Sequence, residues 1–108
     1  MLKLPKDRSP EAFLEILPID RPALVDFFAT WCEPCAFLDE ILIELEQKLG
    51  ERVLIVKADV DEQQLLTTHY SVRSVPTLMI FSKGELKWRM AGFKMGAELE
   101  AELNPWLL

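Results

Sequence analysis

The pentapeptide Trp31-Cys32-Glu33-Pro34-Cys35 stands between an apolar run, Leu24-Val25-Asp26-Phe27-Phe28, and a long amphipathic pattern from Ala36 to Leu49, and it holds both cysteines of the chain. Proline suits the first turn of a helix, where a missing N–H costs no hydrogen bond, so the motif marks the junction at which a strand ends and a helix begins. Cys32 then lies at the positive end of the helix dipole. That position stabilises a thiolate, which is the attacking form of the side chain. Cysteines three apart on a helical turn have Cβ atoms about 5 to 6 Å apart, near enough that a modest adjustment permits a disulfide. Such a pair opens and closes without refolding the chain.

The surroundings of the motif set the fold class. Ser9-Pro10-Glu11 reads as an N-cap, an N1 proline and an acidic first turn, so a helix is expected from there to about Leu17, with Phe13, Leu14, Ile16 and Leu17 as its apolar face. Met1 to Leu4 can form no more than a short edge strand before Pro5. Ala23 to Phe28 is apolar almost throughout, the pattern of a strand covered on both faces in a mostly parallel sheet. Phe37, Leu38, Ile41, Leu42, Leu45 and Leu49 recur at helical spacing until Gly50. Val53 to Val56 supplies a second buried strand and completes a βαβ unit. Asp59 or Asp61 is expected to cap a helix over Glu62 to Tyr70. After Val75-Pro76-Thr77 come a strand over Leu78 to Phe81, a turn at Ser82-Lys83-Gly84-Glu85, and an antiparallel edge strand in which Leu86, Trp88 and Met90 alternate with Lys87 and Arg89. A last helix begins near Gly96 and buries Leu99, Leu103, Trp106 and Leu107, with Asn104-Pro105 ending or kinking it.

Composition removes several function classes. The 108 residues carry 12 Lys and Arg against 18 Asp and Glu, a net charge of -6, which argues against a nucleic-acid backbone as partner. A chain of this length and apolar content is expected to form a single domain, residues 1–108, with its own core. The N-terminus from Met1 to Arg8 lacks the apolar stretch of a signal peptide and no run approaches a membrane span, so no membrane partner and a cytoplasmic location are expected. Zinc needs more ligands than two cysteines and the lone His69 supply, and Ala36 after Cys35 excludes a c-type haem signature. Neither a metal nor a resident cofactor is expected.

This order of elements, with a CxxC at the strand-to-helix turn, resembles the thioredoxin family across nearly the whole chain. The resemblance extends to Asp26 before the cysteines, Trp31 beside them, Lys57 at the end of the next strand, the Val75-Pro76-Thr77 triplet, Gly84 and Gly92. It implies an α/β thioredoxin fold, a central mixed β-sheet flanked by helices on both faces. It also implies a monomeric protein-disulfide reductase in which Cys32 attacks a substrate disulfide and Cys35 resolves the mixed disulfide. The implied partners are a thioredoxin reductase and disulfide-containing proteins. Substrate contacts are expected from Trp31, Glu33, Pro34, Val75, Pro76, Thr77, Gly84 and Gly92, with Pro76 in the place of the family's cis-proline. Three positions depart from the family: Glu33 stands where glycine is usual, Ala36 where lysine is frequent, and Glu40 where a proline commonly bends the helix.

Simpler readings stand beside each of these. A structural disulfide over so short a loop would remove only about 2 kcal/mol of unfolded-state entropy, against nearly 5 for a loop of about 100 residues. Asp26 is either a solvated charge at the sheet end or a buried proton acceptor for Cys35 with a raised pKa. Lys57 is either its ionic neighbour or a lysine reaching to water. Trp31 is a contact surface or a lid on the core, and Gly84 and Gly92 serve first as turn residues. The competing function is a thioredoxin-fold binding module whose redox activity is secondary. An oxidant of an oxidising compartment is the third, disfavoured by the absent leader.

Overall fold

A computed structural model describes residues 1–107 of the chain, so the last residue of the expected 1–108 domain lies outside the described residues. Five strands form one sheet in the order β1-β3-β2-β4-β5, from β1 (Leu2–Lys3), β2 (Ala23–Phe28), β3 (Leu54–Asp59), β4 (Thr77–Ser82) and β5 (Glu85–Ala91). β2 lies at its centre, parallel to β3 and antiparallel to β4, so the sheet is mixed. The helices are α1 (Pro10–Ile16), α2 (Glu33–Leu49), α3 (Gln64–His69) and α4 (Gly96–Leu103), with single 3₁₀ turns at Gly50–Arg52 and Asn104–Trp106.

Successive side chains of a strand point to opposite faces, and the two cores follow that rule. Leu24, Ile55, Leu78 and Ile80 pack with Leu38, Ile41, Leu42, Leu45 and Leu49 of α2 and with Leu99 and Leu103 of α4. Val25, Phe27, Val56, Met79 and Phe81 pack on the other face with Phe13 and Leu17 around α1 and with Leu66 of α3. Helices therefore cover both faces, which is the expected fold class. Asp26 and Lys57 alternate with these residues so as to share the α2 face with Leu24 and Ile55, and they are direct neighbours in the β2–β3 register.

Several local expectations are corrected. β3 runs on to Asp59, so Lys57 is interior to a strand rather than at its end. α3 starts at Gln64, and neither aspartate caps it: Asp59 Oδ1 accepts the Asp61 N–H at 2.9 Å, while the Leu65 N–H in the first turn of α3 donates to Asp7 Oδ1 at 3.0 Å. The remote Asp7 takes that place because the Gln63 side chain is buried, accepting from the Arg8 N–H and donating to the Pro5 carbonyl. Phe37 is exposed. At 100° per residue it falls at the rim of the α2 stripe, where its ring leans on Phe93 with centroids 5.5 Å apart. Leu14 of α1 and Leu86 of β5 also face solvent, the latter because an edge strand has little to cover it near its hairpin end.

Candidate active site

β2 ends at Phe28, and a short turn later the chain enters α2 with Cys32 as the N-cap. The Cys32 N–H donates to the Ala29 carbonyl at 3.3 Å, which tightens the turn, and Cys32 Sγ accepts the Cys35 N–H at 3.2 Å. That bond satisfies one of the amides a helix start leaves without partners, so the sulfur occupies the dipole's positive end. Glu33 and Pro34 form the exposed first turn, and Cys35 follows on the inner side. The two sulfurs are joined in a disulfide with Cα atoms 5.3 Å apart. Cys32 is 8% exposed and Cys35 2%, so Cys32 is the less covered of the two.

Val75 completes the site from across the sheet, packing with Val60 and Phe28 against Ala29, Cys32 and Cys35. The Val75–Pro76 peptide bond is cis, as the resemblance implied. Thr77 is buried and its hydroxyl donates to the Ser74 carbonyl at 2.7 Å, so its side chain holds the loop instead of facing outward. Gly92 lies beside this loop at φ 100°, a conformation that favours glycine, and its N–H donates to the Pro76 carbonyl at 2.8 Å. Gly84 does not join the cluster. It sits in the β4–β5 turn, and β4 carries the chain away from the Thr77 end by roughly 17 Å at 3.3 to 3.4 Å per residue.

Trp31 is a surface residue, 69% exposed. Its Nε1–H donates to Asp61 Oδ2 at 3.1 Å, so the aspartate expected to cap a helix instead orients the indole. Trp31, Val60, Thr67, Val72, Arg73 and Val75 line a groove of about 180 Å³ beside the disulfide. A larger cavity of about 390 Å³, lined in part by Arg21, Lys83 and Trp106, lies at the far end of the sheet and shares none of the sulfur chemistry.

On the α2 face of β2, Asp26 is fully buried, 0% exposed. Burial pushes its carboxyl above the ordinary value of 3.8, against the pull of the neighbouring Lys57 ammonium. Lys57 Nζ donates to Asp26 Oδ2 at 2.7 Å and also to Asp39 on α2, and it lies 4.3 Å from the centroid of the Phe28 ring. Lys57 is thus the ionic neighbour of Asp26, and the solvated reading of Asp26 is excluded. Sequence reasoning missed Asp39 and the Asp61 contact. The available signal for Asp39 was its place one helical turn after Cys35, where i and i+4 side chains meet.

A pair of cysteines at a helix start that can open and close is equipment for thiol–disulfide exchange, and a buried carboxylate beside an ammonium is a group able to hold a proton. Comparisons with known proteins bear on the family and on the thiol–disulfide chemistry. The thioredoxin family model matches residues 5–105. A thioredoxin of Rickettsia felis is 38% identical over 93 residues, which cover 86% of this chain and 85% of that protein. A thioredoxin of Bacillus subtilis is 42% identical over 84 residues, covering 78% and 81%. Among solved structures, a point-mutant thioredoxin from Halobacterium salinarum superposes with a TM-score of 0.84 at 28% identity, covering 99% of this chain and 92% of that one.

Proposed function

The chain belongs to the thioredoxin family and is a thiol–disulfide oxidoreductase acting on protein disulfides, and from that premise we propose how its residues divide the reaction. The observation that carries the proposal is the placement of Cys32 at the N-cap of α2 with Cys35 behind it in the first turn. The Cys32 thiolate attacks one sulfur of a substrate disulfide; a Cys32–substrate bond forms and the other substrate sulfur leaves as a thiolate. Cys35 then gives its proton to Asp26 and attacks Cys32 Sγ. The Cys32–Cys35 bond forms, the bond to substrate breaks, and the second substrate sulfur leaves with the electron pair. The substrate is reduced by two electrons and the protein is oxidised by the same two.

Trp31, Glu33, Pro34, Val75 and Gly92 form the substrate surface in this reading, supported by their grouping around the disulfide and the groove, and the buried Pro76 backs it by presenting Val75 through the cis bond. Thr77 acts behind that surface as a support for the 74–76 loop. Lys57 balances Asp26 and does not touch substrate. A thioredoxin reductase returns the disulfide to the dithiol. The 108 residues act as a single domain and a monomer, in the cytoplasm, where a reducing thiol pool suits a disulfide reductase. No described helix is long and apolar enough to cross a membrane.

Trapping tests the division of labour. Cys35→Ser should accumulate mixed disulfides between Cys32 and substrate proteins, and Cys32→Ser should not, as read by mass spectrometry after alkylation. The reverse pattern would refute the assignment of the attacking thiol.

A further inference from the structure

Lys57 is not held by Asp26 alone. Its Nζ bonds both Asp26 Oδ2 and Asp39 Oδ1, so one positive charge serves two carboxylates. Asp39 lies about 40° round α2 from Cys35 and about 100° from Leu38, at the edge of the buried stripe on the Cys35 side. Its side chain is 44% exposed while that of Asp26 is fully buried, so the row Asp26–Lys57–Asp39 runs from the core to water. Asp26 Oδ1 has no hydrogen-bond partner among the described residues. Among the described residues, part of one ammonium is therefore the only charge compensation the buried carboxylate receives.

We propose that Asp39 is a positioning residue for the resolving step: by sharing the Lys57 ammonium it leaves Asp26 under-compensated, and so sets the pH at which Asp26 takes the Cys35 proton. The inference rests on the reading of Asp26 as that proton acceptor. Few other charges face the group. β3 contributes Lys57, and Asp59 two residues on is engaged with the Asp61 N–H. α2 contributes Asp39 and, at its start, the two cysteines, with exposed Glu40 beside Asp39. On β4 the register neighbour of Asp26 is Leu78, which does not titrate. The Asp39 charge acts on the Asp26 carboxyl in the same direction as burial, upward.

In Asp39→Asn the second carboxylate charge is gone and Lys57 turns wholly to Asp26. Both changes favour ionised Asp26. With the two carboxylates about 5 Å apart, the acid limb of the pH profile for mixed-disulfide resolution should move toward acid by about one pH unit, which speeds resolution at a fixed pH on that limb by less than about tenfold. The plateau should slow, because the carboxylate is then a weaker base. Asp39→Glu, which keeps the charge, should restore the parent profile. Two measurements on the full chain decide the matter: rapid-mixing kinetics of resolution, and infrared titration of the Asp26 carboxyl in the oxidised protein with Asp26→Asn as the blank. An Asp26 titration unmoved by Asp39→Asn overturns the inference, even if that variant is less stable to heat, since a purely structural Asp39 would do the same. An acid limb that survives in Asp26→Asn overturns the proton-acceptor reading itself, and the inference for resolution falls with it.

Discussion

Replacing Asp26 by Asn should stabilise the oxidised protein at neutral and alkaline pH. The carboxylate is fully buried, with one oxygen bound to Lys57 at 2.7 Å and the other without a partner among the described residues. For charge centres about 4 Å apart the attraction is about 4 kcal/mol at an effective dielectric constant near 20. Against it stand several kcal/mol for desolvating the carboxylate; the oxygen without a partner does not enter the balance, because the carboxamide leaves an equally unpaired group in its place. Lys57 keeps Asp39, so the substitution leaves no orphaned ammonium in the core. The balance favours the neutral isostere by about 1 to 2 kcal/mol, which in a chain of this size raises Tm by about 5 to 10 °C.

The pH dependence of that gain is the sharper test. Burial raises the Asp26 pKa above the unfolded value near 3.8, so the native state holds this proton more tightly than the unfolded chain does. Stability linked to the group is fully present below the unfolded pKa and is lost as pH rises through the folded one. The Tm advantage of Asp26→Asn should therefore be near zero at about pH 3 to 4 and grow toward a plateau above the folded pKa. Oxidised protein isolates the effect, because the disulfide does not titrate. Calorimetry from about pH 4 to 9 that found a constant difference, or a less stable variant at about pH 8, would refute the reasoning.

Glu33→Gly should raise the reduction potential by about 15 mV at low salt, from repulsion of about 0.7 kcal/mol between two charges roughly 6 Å apart in bulk-water dielectric. Equilibration against glutathione at two ionic strengths checks it, and a difference that does not shrink with salt would leave Glu33 as a residue of partner choice. Trp31→Ala should raise KM for protein disulfides by up to about tenfold while leaving a small aliphatic disulfide nearly unaffected, since an exposed aromatic contributes through interface area. Equal losses with both substrates would place the indole's role in the chemistry.

How much of this is legible in the sequence depends on range. Ala23–Phe28 and α2 are readable because continuous apolarity and a 3.6-residue stripe are local patterns, and Gly50 closes the second of them. The cysteines, Asp26 and Lys57 are identifiable through resemblance, and the register that pairs Asp26 with Lys57 then gives them a shared purpose. Asp39 is hidden because it is one of many acidic residues on a helix surface, and its contact with Lys57 depends on how α2 lies across the sheet. Asp7 is hidden for the same reason, reaching α3 from 58 residues away. Family likeness alone places Gly84 in the site, whereas the antiparallel run of β4 carries it to the other end of the sheet.

The grip of α2 on the sheet has a further consequence for any protein that handles this one. Both sulfurs belong to the first turn and its cap, while Leu38, Ile41, Leu42, Leu45 and Leu49 pin the following turns to the core. None of those anchors takes part in the bond between the sulfurs. The redox bond is thus confined to the capped first turn, apart from the anchored remainder of the helix. A partner that reduces this bond and one that is reduced by the dithiol must both reach the same two sulfur atoms.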